Sequence, residues 1–361
     1  MSSPTRTLSY VEALQEAVEQ EMDRDEKVFV IGLNVDDHKS IQGTTHGLID
    51  KFGADRVMDT PLSEDAVTGI CIGAAMAGMR PIHVHIRMDF LMLCMNQLIN
   101  MGAKAHYMYG GQTRAPLVVR SIIGKSWGQG AQHSQGLHSM FMHVPGLKVV
   151  APTNAYDAKG CLIAAIRDNN PVIFVEHRLL YSTDAPVPED AYTVNFGKAR
   201  ISGEGPDISL VGISYMLVEC LAAREILAGE GISAQVIDPV TLLPLDVDTI
   251  AASASRTGKL LVVDNAWTTA GASAEIVAAV VRTTLAGQLV GADARSPRPV
   301  VHMLQTLLQD VLPEAAQIEA ASPFDADDVE RLMYDAEHPL TQRVKEAIRL
   351  CFAAGFRTED V

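Results

Sequence analysis

Short apolar runs rich in Val and Ile recur along this chain, separated by longer segments with helical periodicity. Val28-Phe29-Val30-Ile31, Ile82-His83-Val84-His85-Ile86, Leu117-Val118-Val119-Arg120, Leu147-Lys148-Val149-Val150 and Pro171-Val172-Ile173-Phe174-Val175 read as strands. Strands that are apolar almost throughout, rather than alternating, are buried on both faces, the condition of a parallel sheet covered by helices. Helices are expected from Phe90 to about Lys104 and from Ala155 to Ile166. The pattern breaks in TDAPVPEDAYTVN, Thr183–Asn195, which holds two prolines, several acids and little periodicity. It then restarts: strands at Ile208–Val211, Ala234–Ile237 and Leu260–Val263, helices at Met216–Leu227, Val247–Ala252 and Ala274–Arg282. The expectation is an α/β chain of two tandem parallel-sheet domains, 1–182 and 197–361, joined by a linker over 183–196. A length of 361 residues fits two cores better than one. No short-period repeat is visible. From about Ser296 the pattern is less legible, and Asp325–Cys351 reads as a charge-laced docking helix or tail.

Charge and composition exclude several functions. Lys and Arg number 29 against 44 Asp and Glu, a net charge of -15. A surface that acidic repels a phosphate backbone and an anionic bilayer, so neither nucleic acid nor membrane is an expected partner. The first residues lack an apolar signal core, and no apolar run is long enough to span a bilayer. The five cysteines, Cys71, Cys94, Cys161, Cys220 and Cys351, are scattered and form no CxxC pair. They read as buried small hydrophobes of a protein kept in a reducing cytoplasm.

Several short patterns are false friends. Gly124-Lys125-Ser126 resembles the end of a phosphate loop, but Val119 stands where that loop needs glycine. Gly203-Glu204-Gly205 lacks the third glycine of a dinucleotide fingerprint and opens a strand instead of closing one. His133 and Ser134 are adjacent, and no GxSxG elbow surrounds the serine. His83 and His85 share one strand face but have no third ligand at matching spacing, which favours satisfied buried histidines over a metal site.

Three stretches carry candidate chemistry. Asp59-Thr60-Pro61-Leu62-Ser63-Glu64 runs into a helix of small apolar residues, AVTGICIGAAMAGM. Ser63 as a cap with Glu64 and Asp65 complementing the dipole is the plain structural account. A carboxylate at the mouth of so tightly packed a helix is also placed to meet a ligand. Arg87-Met88-Asp89-Phe90 follows a strand, and core packing alone would explain Phe90. Gly128–Gln135 is a glycine-rich polar loop carrying His133, a composition found both in site linings and in ordinary surface loops.

Taken together, these stretches resemble the beta subunits of the thiamine diphosphate-dependent decarboxylase component of 2-oxo acid dehydrogenase complexes, of the pyruvate, branched-chain and acetoin type, within the transketolase-like superfamily. The resemblance rests on DTPLSE at Asp59–Glu64, GAAMAGMRPI at Gly73–Ile82 and QHSQ at Gln132–Gln135. It extends through HVPGLKVVAPTNAYDAKG at His143–Gly160, IRDNNPVIFVEH at Ile166–His177 and VIDPVTLLPLD at Val236–Asp246, and weakens after about Arg295.

The resemblance implies a pyrimidine-binding domain followed by a transketolase C-terminal-like domain. It implies that Glu64 hydrogen-bonds a ring nitrogen of the cofactor's aminopyrimidine, that Leu62 touches the cofactor and that Phe90 stacks on the pyrimidine. His133 would act near the substrate as donor or proton shuttle. The cofactor itself is the electron sink for decarboxylation. A structural potassium ion is implied at Leu117, Ala165, Ile166, Asp168 and Asn170, although Asp168-Asn169-Asn170 also makes sense as a plain turn. The superfamily's magnesium-anchoring GDG…N motif is absent from the sequence. An alpha subunit is therefore expected to supply magnesium and the diphosphate half of the site. The implied assembly is an α2β2 heterotetramer, with beta–beta contact through the C-terminal domain and docking to a lipoyl acyltransferase. The chain departs from the family at Gly32-Leu33-Asn34-Val35, where members carry an acidic pair, in the loop Ser121–Trp127, and at Arg87 beside Phe90. Arg87 suits either a substrate carboxylate or a salt bridge at a surface or subunit seam.

The leading functional expectation is the beta subunit of an enzyme that decarboxylates a 2-oxo acid and passes the acyl group to a lipoyl carrier. A thiamine diphosphate-dependent carboligase or decarboxylase without lipoyl transfer is the alternative enzyme. A non-catalytic scaffold subunit is the alternative from another class.

Overall fold

The computed structural model describes residues 5–37, 39, 41–125 and 129–291. The tail expected to be helical at Asp325–Cys351, and Ser126, Trp127 and Gly128 of the polar loop, lie outside the described residues. The chain divides into two compact units, Met1–Val281 and Arg282–Val361, and nearly all described residues belong to the first.

In chain order that unit begins with β1 (Thr5–Ser9), α1 (Tyr10–Arg24), β2 (Val28–Gly32), α2 (Leu48–Phe52), β3 (Val57–Asp59), α3 (Glu64–Met76) and β4 (Arg80–Arg87). After a 3-10 turn and a π-helical turn come α4 (Ala105–Met108), β5 (Val118–Ile123), α5 (His138–Met142), β6 (Lys148–Val150), α6 (Ala155–Arg167) and β7 (Val172–His177). β8 (Asp184–Pro188) and β9 (Arg200–Ile201) lead to β10 (Ile208–Gly212), α7 (Met216–Gly229), β11 (Ala234–Asp238) and β12 (Thr241–Leu243). α8 (Val247–Thr257), β13 (Leu260–Val263) and α9 (Ala272–Gly291) follow.

The main sheet has seven strands in the order β12-β6-β7-β5-β4-β2-β3, all parallel except β12. Every residue of β2, β5 and β7 is buried, as a parallel sheet covered on both faces requires. Side-chain alternation divides the core in two. Val28 and Val30 pack with Tyr10 and Leu14 of α1 and Leu162 of α6. Phe29 and Ile31 pack on the other face with Val67, Cys71 and Ile72 of α3 and with Met88 and Leu91.

The second sheet has four strands, in the order β13-β10-β11-β9. The two sheets share one continuous core, since Val211, Ile237 and Ile276 pack into the same cluster as α3. β12 leaves the second sheet's neighbourhood to pair antiparallel with β6 at the edge of the first.

Two segments differ from the sequence expectation. The stretch expected as one helix from Phe90 is a 3-10 turn, Met88–Cys94, followed by a π-helical turn, Asn96–Gly102. Its buried residues Leu91, Cys94 and Leu98 recur at ordinary helical spacing, so the sequence pattern does not distinguish these turns from one α-helix. The segment expected as a linker is docked: β8 pairs antiparallel with β1, and the Tyr192 ring stacks on Tyr156 at 4.7 Å. Its polar composition hides a pairing between residues far apart in sequence.

Candidate functional site

In parallel sheets ligands are met at the carboxyl ends of the strands, and the sequence-flagged groups gather there. Glu64 opens α3 just beyond β3, Phe90 lies beyond β4, and His133 sits on the loop that follows β5. Among the described residues Glu64 makes no hydrogen bond and no ion pair, and its side chain is half-buried. Its charge reaches inward to His85 and Cys94. Ser63 stands at the N-cap position but makes no capping bond. The first amides of α3 are therefore left without a side-chain acceptor, which removes the plain capping account of Ser63. Beside them Leu62 is 80% exposed, an apolar side chain held out at the rim.

The floor beneath the rim is neutral. His83 and His85 are buried, with rings edge to face at 5.7 Å. His83 Nδ1–H donates to the Ile31 carbonyl at 3.3 Å, and its Nε2 accepts from the Thr68 hydroxyl at 3.2 Å. Burial, with the neighbouring His85, pushes His83 down to about 3. Burial likewise lowers His85, and Glu64 only partly offsets this. His85 Nδ1–H donates to the Arg87 carbonyl at 3.1 Å. Both imidazoles are thus satisfied, neutral core groups. Among the described residues no cluster of three or more His, Cys, Asp or Glu is arranged for a metal.

The Phe90 and His133 rings meet edge to face, with centroids 5.2 Å apart. Two side chains that the sequence reading gave no role hold this pair. Asp89 Oδ1 accepts from the Gln135 amide nitrogen at 3.2 Å and from its side chain at 2.8 Å, pinning the His133 loop to the Phe90 turn. Arg178, just past β7, donates to the His133 carbonyl at 2.8 Å and also bonds the Gln129 side chain. The signal for Arg178 was a cation directly after a buried strand. The signal for Asp89 was an acid between two apolar residues at a strand end.

Behind the site lies a buried polar brace. Arg120 Nε and Nη2 donate to the two Glu176 oxygens at 2.6 and 3.1 Å, and the Tyr181 hydroxyl donates to Glu176 at 2.6 Å. All three residues are buried. Gly124, at φ +88, lies where a Cβ would come within 2.1 Å of the His177 ring. His177 stacks on Tyr215 at 5.0 Å. The departing loop Gly32-Leu33-Asn34-Val35 also borders the site: the Asn34 amide donates to Asp59 Oδ1 at 2.6 Å.

Leu117, Ala165, Ile166, Asp168 and Asn170 gather at the opposite end of the sheet, where β5 and β7 begin. The Leu117 carbonyl accepts from Val172 N at 2.8 Å, and the Ala165 carbonyl from Asp168 N at 3.2 Å. Arg80 donates to the carbonyls of Ile166 and Asp168, each at 2.9 Å. Asp168 is bonded by Lys148, and its Oδ1 accepts from Asn170 N at 2.9 Å. The set is all oxygen, the donor type a hard monovalent cation takes, and each carbonyl keeps a second lone pair.

Comparison with known proteins gives the family. Residues 6–183 match the transketolase pyrimidine binding domain, and residues 197–318 the transketolase C-terminal domain. The chain is 43% identical over 328 residues to the beta subunit of acetoin:2,6-dichlorophenolindophenol oxidoreductase of Cupriavidus necator, covering 88% of this chain and 97% of that one. It is 43% identical over 271 residues to the pyruvate dehydrogenase E1 component subunit beta of Rickettsia bellii, covering 75% of this chain and 83% of that one. Among solved structures, a split-gene transketolase beta4 tetramer superposes with a TM-score of 0.65 at 17% identity, over 76% of this chain and 86% of that one, a likeness of fold. With Glu64 at the mouth of α3, Phe90 against His133 and both domain models in place, the chain belongs to the family of these beta subunits, built from the transketolase pyrimidine-binding and C-terminal domains.

Proposed function

We propose that this chain is the beta subunit of a 2-oxo acid dehydrogenase, that it binds the pyrimidine half of thiamine diphosphate, and that it works only with an alpha subunit. The observation that carries the reading is the half-built site. A half-buried carboxylate with no partner among the described residues, Glu64, and an aromatic ring, Phe90, both lie just past the carboxyl ends of strands of the main sheet, β3 and β4. Leu62 before α3, Ile70 on α3, and Leu93 and Met101 on the two turns packed against it expose apolar side chains, at 80%, 60%, 59% and 42%. Apolar surface on that scale at a site's rim marks a protein interface.

The residues fit the cofactor's pyrimidine. A carboxylate with open lone pairs suits a protonated ring nitrogen, and a phenyl face suits a flat ring. When bound, thiamine diphosphate supplies the electron sink for loss of carbon dioxide. Glu64 holds the proton at the pyrimidine ring, Phe90 orients that ring, and Leu62 excludes water from its edge. His133, steadied by Arg178 through its carbonyl, offers an imidazole to the substrate as donor or shuttle. Magnesium and the diphosphate belong to the alpha subunit, since this chain has no GDG motif. The acyl group passes to a lipoyl carrier on an acyltransferase.

The domains in this reading are 1–182 and 197–361, with 183–196 connecting them, in an α2β2 assembly whose beta–beta contact is made by the second domain. A potassium ion at the Asp168 turn would use the free carbonyl lone pairs and serve stability alone. Cys71, Cys94, Cys161 and Cys220 are free and buried, in keeping with a cytoplasmic chain. Among the described residues no helix is long and apolar enough to cross a membrane.

The test is reconstitution. The purified chain alone should give no 2-oxo acid decarboxylation with thiamine diphosphate and magnesium. Adding the alpha partner should produce it, together with acylation of a lipoyl domain. Turnover by the isolated chain would overturn the half-site. Turnover by the complex without lipoyl acylation would move the reading to a carboligase or simple decarboxylase.

A further inference from the structure

At the carboxyl ends of β4 and β7, Arg87 and Arg178 stand on either side of β5, whose end lies between those strands. Arg178 is committed to the His133 loop, through Gln129 and the His133 carbonyl. Arg87 is not committed. Its one hydrogen bond among the described residues runs from Nη1 to the carbonyl of its own neighbour Ile86, at 3.2 Å. Its Nε is buried without a partner. No carboxylate among the described residues lies within the 4.0 Å of an ion pair. The nearby acid, Asp89, spends Oδ1 on Gln135, and its Oδ2 is also buried without a partner.

The Asp89 charge acts on both guanidiniums, and its Oδ1 is already engaged by Gln135. Burial depresses both guanidiniums, and the Arg87 charge adds to this at Arg178, so each cation is held at a cost that an anion would relieve. Arg87 is three residues from Phe90 on the same strand end, and Arg178 holds His133. The unmet positive charge thus borders the proposed reaction site, not a remote surface.

We propose that Arg87 binds a carboxylate that the substrate keeps, so that this chain serves a 2-oxo acid with a second, distal carboxylate. The inference rests on the proposed decarboxylating function and narrows its substrate. The carboxylate that leaves as carbon dioxide is the poorer occupant. A cation holding it would stabilise charge that the reaction removes, favouring the ground state over the transition state. A retained carboxylate is bound equally before and after, and a planar guanidinium takes it in two parallel hydrogen bonds.

The experiment uses the complex reconstituted with its alpha partner. Rates with 2-oxoglutarate and 2-oxoadipate are compared with pyruvate and 2-oxobutyrate, for the wild type, Arg87→Gln and Arg87→Lys. Calorimetry with glutarate reads binding without turnover. The wild type should prefer a dicarboxylate. Arg87→Gln should lower kcat/KM for it by about 10- to 100-fold, mostly through KM, weaken glutarate binding to match, and leave pyruvate and 2-oxobutyrate nearly unchanged. Arg87→Lys should fall between. Equal losses on both substrate classes, or none on either, would overturn the proposal and give Arg87 to folding or the subunit seam. A wild-type complex active only on 2-oxo acids with a single carboxylate would overturn it while leaving the proposed function standing. A complex active on no 2-oxo acid would overturn both.

Discussion

The brace behind the site and the rim in front of it are built from the same residue types and treated in opposite ways. In the brace, Arg120, Glu176 and Tyr181 are buried and bonded to one another. At the rim, Glu64 and Arg87 have no counter-ion among the described residues. A buried ion pair is stabilised by its partner and costs dearly when half of it is lost. A half-buried charge without a partner contributes little to folding and is retained for what it binds. Substitutions in the brace should therefore act on stability, and substitutions at the rim on binding and rate.

The sharpest way to break this contrast is Glu176→Gln. It leaves the Arg120 guanidinium buried beside a neutral amide, and should lower unfolding free energy by about 3–5 kcal/mol in denaturant titration. A loss under about 1 kcal/mol would place brace and rim in one class. Gly124→Ala comes next. A Cβ there would sit 2.1 Å from the His177 ring at a φ of +88. The cost should be about 1–3 kcal/mol, read as a fall in Tm with the fold intact by circular dichroism.

Asp89→Asn tests the seam between the two regions. Asn keeps an acceptor for Gln135, so stability should change by about 1 kcal/mol or less. Hydrogen exchange over the Gln129–Gln135 loop should rise, because the latch loses its charge. Unchanged exchange would show that Arg178 alone holds the loop.

A pH dependence lies away from the site. Burial raises Asp238 from 3.8 to about 7. The folded state then holds a proton that the unfolded chain releases, so this group makes the protein less stable as pH rises from about 4 to about 7. Burial lowers His177 from 6.5 to about 4, which works in the opposite sense: stability is lost as pH falls through that window. Asp238→Asn removes the first effect alone. The wild type should lose stability relative to that variant as pH rises from 4 to 7, measured by urea midpoints; a constant difference would refute the assignment.

Much of the architecture was legible because parallel strands buried on both faces leave uninterrupted Val and Ile runs. β2, β4, β5, β6 and β7 fall on such runs to within a few residues. The π-helical turn at Asn96–Gly102 was not legible, since its buried Leu98 and Gly102 follow Cys94 at the spacing of an ordinary helix. The β1–β8 pairing joins residues nearly the length of a domain apart, and local pattern carries no trace of it. Of the site, Glu64, Leu62, Phe90 and His133 were flagged by motif. The sequence suits Ser63 as a cap, yet it makes no capping bond. Asp89 and Arg178 were missed as organisers because their partners lie more than 40 residues away. The proposed potassium turn was marked by Asp168-Asn169-Asn170, but Arg80 and Lys148, which bind it, come from other strands.

The most direct measurement is deuterium exchange at the thiazolium C2 of thiamine diphosphate bound to the reconstituted complex, followed by NMR for the wild type and Glu64→Gln. Glu64→Gln should slow exchange by about 10²- to 10⁴-fold, with stability and subunit assembly unchanged. Exchange at the wild-type rate in that variant would contradict the assignment of Glu64 as the proton partner of the bound ring.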